Sequence, residues 1–96
     1  MLDKSAIPPA LQLIMSTSAL THPVQLEVDA RDLACPMPLL KARQGLRNLA
    51  QGELLRVLAT DAGSLKDFVS FAQLTGQKLE AFDAQDGVYC YLIRKQ

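Results

Sequence analysis

The chain is short of cysteine, tryptophan, net charge and long apolar runs, and most of these shortages remove a class of function. Two cysteines, Cys35 and Cys90, are too few for a disulfide framework or a cysteine-only zinc centre. No metal is expected, because Cys35, Cys90 and the single histidine, His22, stand at no recognised ligand spacing. His22 precedes Pro23 with no residue assigned to orient it, so a cysteine–histidine nucleophile is not expected either. Ten basic residues balance ten acidic ones, so no global field draws the chain to nucleic acid or to an anionic membrane. No apolar run approaches the roughly 20 residues of a membrane-spanning helix. Glycine-rich phosphate loops are missing, and no cofactor is expected.

What remains is the composition of one small domain: 96 residues, 49% hydrophobic and 21% charged. A core of that size is economical, so chemistry is expected at the surface and not in a deep pocket. Residues 1-22 read as a flexible N-terminal extension and residues 23-96 as the folded domain. The stretch from Leu11 to Leu20 is mildly apolar, but Ser16, Thr17 and Ser18 interrupt it and make it a poor signal peptide. A short helix after Pro8-Pro9 and a true start at Met15 are the alternatives. With no export signal, a cytoplasmic location is expected.

Val24 to Asp29 alternates apolar and polar residues, the period of a strand with one buried face. From Pro38 the apolar positions Leu39, Ala42, Leu46 and Leu49 fall on one helix face, and Gly52 follows as a stop. Glu53 to Thr60 is a nearly continuous apolar run, suited to a central strand. After the turn Asp61 to Ser64, with Ser64 as cap and Asp67 three residues on, a second helix places Leu65, Phe68, Val69 and Ala72 on one side. It ends at Gly76. Lys78 to Asp83 and Val88 to Arg94 are strands joined by the loop Ala84 to Gly87, whose Asp86-Gly87 is a hairpin signal. The expected fold is an α/β (α+β) two-layer sandwich of order βαβαββ, a four-stranded mixed sheet with two helices on one face.

The residues with chemistry sit where the first strand passes into the first helix: Cys35-Pro36-Met37-Pro38. Proline suits a helix's first turn, where the N–H it lacks has no intrahelical partner, and it biases the preceding residue toward extended backbone. Cys35 and Met37 are therefore expected to be extended, with Met37 as cap and Pro38 as the first helical residue; a start at Pro36 is the alternative. Either places the Cys35 sulfur within a turn of the helix's positive end, which is expected to lower its pKa. The prolines also stiffen its presentation.

Leu33-Ala-Cys35-Pro36-Met37-Pro38-Leu39-Leu40-Lys41, followed by this order of elements, resembles the CPxP signature of the TusA/SirA-like sulfur-carrier family. The likeness runs from Val24 to about Arg94. It implies that Cys35 carries sulfur as a persulfide. The sulfur would come from a donor protein such as a cysteine desulfurase or rhodanese and pass to an accepting protein, for tRNA thiolation, cofactor synthesis or other sulfur metabolism. The resemblance makes the chain a stoichiometric carrier more than a turnover enzyme. It departs from the family pattern at Asp32, where glycine is common; aspartate tolerates unusual backbone angles, and its carboxylate is expected to oppose thiolate formation at Cys35.

Lys41 and Arg43 on the first helix are candidate contacts for an acidic partner or an anionic sulfur species, whereas Arg47 complements the helix C-terminus. Cys90 reads as a small apolar core residue alternating with Val88 and Leu92. Tyr89 and Tyr91 then share the opposite face, open for docking or covered by the N-terminal extension. Two other functions compete with the carrier: an interaction or regulatory module in which CPxP only caps the helix, and a redox thiol enzyme, weakened by the lack of a Cys-x-x-Cys pair. Direct RNA binding is not expected from a neutral chain with 5% aromatics.

Overall fold

The computed structural model describes residues 22–96; the expectations for the leading segment, including Met15 and a helix after Pro8-Pro9, lie outside the described residues. The elements are β1 (Leu26–Ala30), α1 (Met37–Arg47), β2 (Leu54–Ala59), α2 (Ser64–Thr75), β3 (Lys78–Gln85) and β4 (Val88–Arg94). The strands form one sheet in the order β1-β2-β4-β3, with β1 and β2 parallel and the other two pairings antiparallel. This is the mixed four-stranded sheet expected. β2 lies between β1 and β4, the interior place that its apolar run suits.

Both helices cover one face. There Ala42 and Leu46 of α1 and Phe68 and Phe71 of α2 meet Ala30, Leu55, Val57, Ala59, Tyr91 and Ile93 from the strands. The Phe68 and Tyr91 rings stack with centroids 4.3 Å apart, a contact that adds about 1 kcal/mol to the area the rings bury. Cys90 and Leu92 point to the other face and form a second buried cluster with Val24, Leu58 and Ala81. The expectation that the tyrosines stand opposite the core is therefore overturned, and Tyr91 is fully buried. A period of two says which residues share a face, but not which face the helices cover.

Two helix starts also differ from expectation. α1 begins at Met37, with Pro36 in the cap position at φ −98 and no side-chain cap bond. Met37 is helical because its N–H donates to Ala34 O at 2.9 Å, while Leu40 N–H donates to Pro36 O at 3.1 Å. The preference of a pre-proline residue for extended backbone yields to that turn. In α2, Ser64 is the first helical residue and Gly63 takes the cap position. The Ser64 hydroxyl is drawn into the core, where it hydrogen-bonds the Tyr91 hydroxyl, so no capping box forms.

Gly45 lets α1 lie close on the sheet. A Cβ there would stand 3.1 Å from Val28 Cγ2, 3.2 Å from Leu55 Cδ1 and 3.3 Å from Leu26 Cδ2. The β3–β4 turn is tighter than expected, because β3 continues to Gln85. Asp86 (φ 52) and Gly87 (φ 78) both take left-handed backbone, the pattern of a two-residue type I′ hairpin.

Candidate functional site

The parallel pairing of β1 and β2 builds the site. Ala30 pairs with Ala59, so both strands end at the same edge of the sheet and both following helices start there. Asp32, at φ 65, turns the chain through the left-handed region, and its N–H donates to Thr60 Oγ1 at 2.8 Å. That bond ties the loop before Cys35 to the end of β2. Arg31 Nε and Nη2 each donate to the Asp29 carboxylate at 2.8 Å, and chiefly through this pairing the Asp29 pKa falls to about 2.

Cys35 is exposed and follows this loop, joined to Pro36 by a cis peptide bond. Its Sγ donates a hydrogen bond to Asp67 Oδ2 at 2.8 Å, across 32 residues of sequence. Asp67 lies in the first turn of α2. The hydrogen bond to Asp67, then partial desolvation, then the negative charges of Asp67 and Asp61 push the Cys35 thiol above its ordinary pKa. The expected lowering by the helix end is overturned. Pro36 and Pro38 offer no N–H, and the Met37 N–H is already given to Ala34 O. The positive end of α1 thus keeps few donors to stabilise a thiolate, and the acid on α2 prevails. A carboxylate does oppose the thiolate, as expected, but it is Asp67 and not Asp32.

Asp61 is held by its own turn: its carboxylate accepts the Gly63 N–H at 3.1 Å and its carbonyl accepts the Ser64 N–H at 3.1 Å. Sequence reasoning assigned Asp61, Ser64 and Asp67 to turn and capping chemistry. The parallel strand pair was the signal that brings the two helix starts together.

Around the thiol, the first turns of both helices expose apolar side chains. Met37 is 42% exposed, Leu40 39% and Leu65 37%. Met37 and Leu40 are three apart and share one face of α1. Lys41 is half-buried and Arg43 exposed. Arg43 lies further along α1, where with Arg47, Lys95, Leu46 and Phe71 it lines a shallow groove of about 180 Å³. Arg43 thus lies in that groove with the α1 C-terminal end and not at the sulfur. Cys90 is buried, and desolvation pushes its pKa up to about 11. The His22 ring bonds the neighbouring Pro23 carbonyl at 2.9 Å. Among the described residues no group of three or more His, Cys, Asp or Glu side chains is placed to hold a metal ion. Among them, too, no helix is long and apolar enough to cross a membrane.

The fold and site define a small two-layer domain that presents one exposed cysteine at a strand-to-helix junction. The family model described as Sulfurtransferase TusA matches residues 26–95, and the chain belongs to that family. It is 44% identical over 69 residues to the sulfur carrier protein TusA of Allochromatium vinosum, covering 72% of this chain and 91% of that protein. It is 39% identical over 77 residues to the protein of the same name in Pseudomonas paraeruginosa, covering 80% and 98%. Among solved structures, the SirA-like protein of Desulfitobacterium hafniense superposes with a TM-score of 0.64 at 26% identity, over 72% of this chain and 95% of that one.

Proposed function

We propose that this chain is a sulfur carrier in which Cys35 accepts a sulfur atom from a donor protein's persulfide, holds it as its own persulfide and passes it to an acceptor. The observation that carries this reading is the exposed Cys35 thiol at the head of α1, in a chain of the TusA family. In loading, Cys35 Sγ bonds to the donor's terminal sulfur, the donor's S–S bond breaks, and the donor leaves as a thiol. One S–S bond replaces another, so no oxidant is consumed. Exposed Met37, Leu40 and Leu65 suit docking by partner proteins, and Lys41 and Arg43 are further candidate contacts. Pro36 and Pro38 keep the sulfur at a fixed place for either partner. A cysteine desulfurase or a rhodanese is the donor class, thiolation of tRNA or a cofactor the class of use, and the cytoplasm the compartment.

Incubation with a cysteine desulfurase and free cysteine, or with a rhodanese and thiosulfate, tests this. Intact-protein mass spectrometry should show the added mass of sulfur on the wild type and on Cys90→Ser, and none on Cys35→Ser. Labelling that survives Cys35→Ser and disappears with Cys90→Ser overturns the assignment. An unlabelled wild type with every donor favours an interaction module.

A further inference from the structure

Asp67 is a poor neighbour for a nucleophilic sulfur if its charge is all that matters. It lies on a different element, yet its carboxylate is the side-chain partner of Cys35 Sγ at 2.8 Å. A group that only suppressed the thiolate would hinder the exchange that the site is built for. The direction of the bond resolves the conflict. Sγ donates, so the proton that must leave Cys35 during attack already points at a base.

Building on the sulfur-carrier reading, we propose that Asp67 is the catalytic proton acceptor and donor of the exchange. As Cys35 Sγ bonds to the terminal sulfur of the donor persulfide, its proton moves to Asp67 Oδ2. The donor's S–S bond breaks, its electron pair stays on the departing sulfur, and Asp67 returns the proton to that thiolate. The net change is one thiol and one persulfide in, one thiol and one persulfide out. Unloading runs the same steps backwards: Asp67 takes the acceptor's thiol proton and delivers it to Cys35 as the carrier sulfur is released. One carboxylate therefore serves both directions. The charged groups around the sulfur fit this division. Asp61, which also bears on Cys35, is occupied by the Gly63 N–H, which leaves Asp67, in direct contact with Sγ, to take the proton.

The test separates two readouts that a structural or purely electrostatic role would move together. In Asp67→Asn, the pH profile of Cys35 alkylation by iodoacetamide should shift to lower pH, because the acid that opposes the thiolate is gone. Loading from cysteine persulfide, followed in single turnover by mass spectrometry, should instead slow on the order of 10²-fold, the lower range for general acid–base catalysis. Asp67→Glu, which keeps the carboxylate, should recover part of the loading rate. Asp67→Ser gives the same comparison if the asparagine variant unfolds in urea below the wild-type midpoint. Loading by Asp67→Asn as fast as wild type, or faster, overturns the proposal and leaves Cys35 as carrier. A wild type that never loads, with Cys35→Ser identical to it, removes the sulfur-carrier reading and this one with it.

Discussion

The buried hydroxyl pair Ser64–Tyr91 fixes the first turn of α2, and its energy can be worked from the structure. Ser64 is 2% exposed and Tyr91 fully buried, and each hydroxyl has the other as its partner. Tyr91→Phe removes one oxygen and keeps the ring stacked on Phe68, so packing stays nearly constant. The Ser64 hydroxyl is then buried without its partner, at a cost of about 1–3 kcal/mol. Ser64→Ala strands the phenol in the same way and costs a similar amount. The double variant strands neither and loses only the net worth of one hydrogen bond, about 1 kcal/mol. The expected signature is a favourable coupling of about 1–5 kcal/mol, the sum of the two single losses less the double, read from a double-mutant cycle in urea. With a slope of about 1–3 kcal/mol per molar urea, each single variant should lower the midpoint by roughly 1 M. Single losses that sum to the double within about 0.5 kcal/mol refute the reasoning, because each orphaned hydroxyl must then have reached water.

Two further perturbations test the local accounts. Replacing Asp32, at φ 65, by glycine should leave stability unchanged or raise it by up to about 1 kcal/mol, whereas Asp32→Val should lower it by about 1–2 kcal/mol. Urea midpoints measure both, and Asp32→Gly should leave the pH profile of Cys35 alkylation in place, since Asp67 and not Asp32 touches the sulfur. Cys90 is raised from 9.0 to about 11 in the fold, so its burial as a neutral thiol stabilises fully below about pH 9 and is lost as the pH rises toward about 11. The loss should reach about 2 kcal/mol, less than the full shift because the fold can relax; Cys90→Ala, weaker at neutral pH, should have a shallower alkaline slope, and parallel slopes would remove Cys90 as the cause.

Much of this molecule was legible in the sequence because its signals are local. Alternation marked β1, a continuous apolar run placed β2 in the sheet interior, and Asp86-Gly87 announced the hairpin. Proline at two of the four positions Cys35 to Pro38 marked where strand passes to helix. The misreadings share one origin: they turn on contacts between distant elements. Nothing in β4 alone says whether Tyr91 or Cys90 faces the helices; the stack on Phe68 and the bond to Ser64 decide it. An aspartate in a helix's first turn reads as a capping residue until the parallel β1–β2 pair sets that turn beside Cys35. The helix-end effect on the thiol was a sound general rule, but Pro36 and Pro38 remove N–H groups on which it depends.

Two features of the site now pull in opposite directions, and their sizes say how they can coexist. An ordinary carboxylate is a weaker base than a thiolate by a factor of about 10⁴ to 10⁵. The Cys35 thiol is moreover held above its ordinary pKa, so in the resting protein a small electrophile meets a neutral sulfur. In the exchange itself the sulfur need never bear that full charge, because the new S–S bond forms while the proton leaves. The carboxylate can then lower the barrier although it raises the pKa. A docked partner strengthens the arrangement by excluding water from the exposed Met37 and Leu40 beside it, since a hydrogen bond is stronger in a dry, low-dielectric contact. The dyad thus favours an electrophile that comes held by a docking surface over one that diffuses in alone. That selectivity follows from the geometry of Cys35 and Asp67, and neither residue provides it without the other.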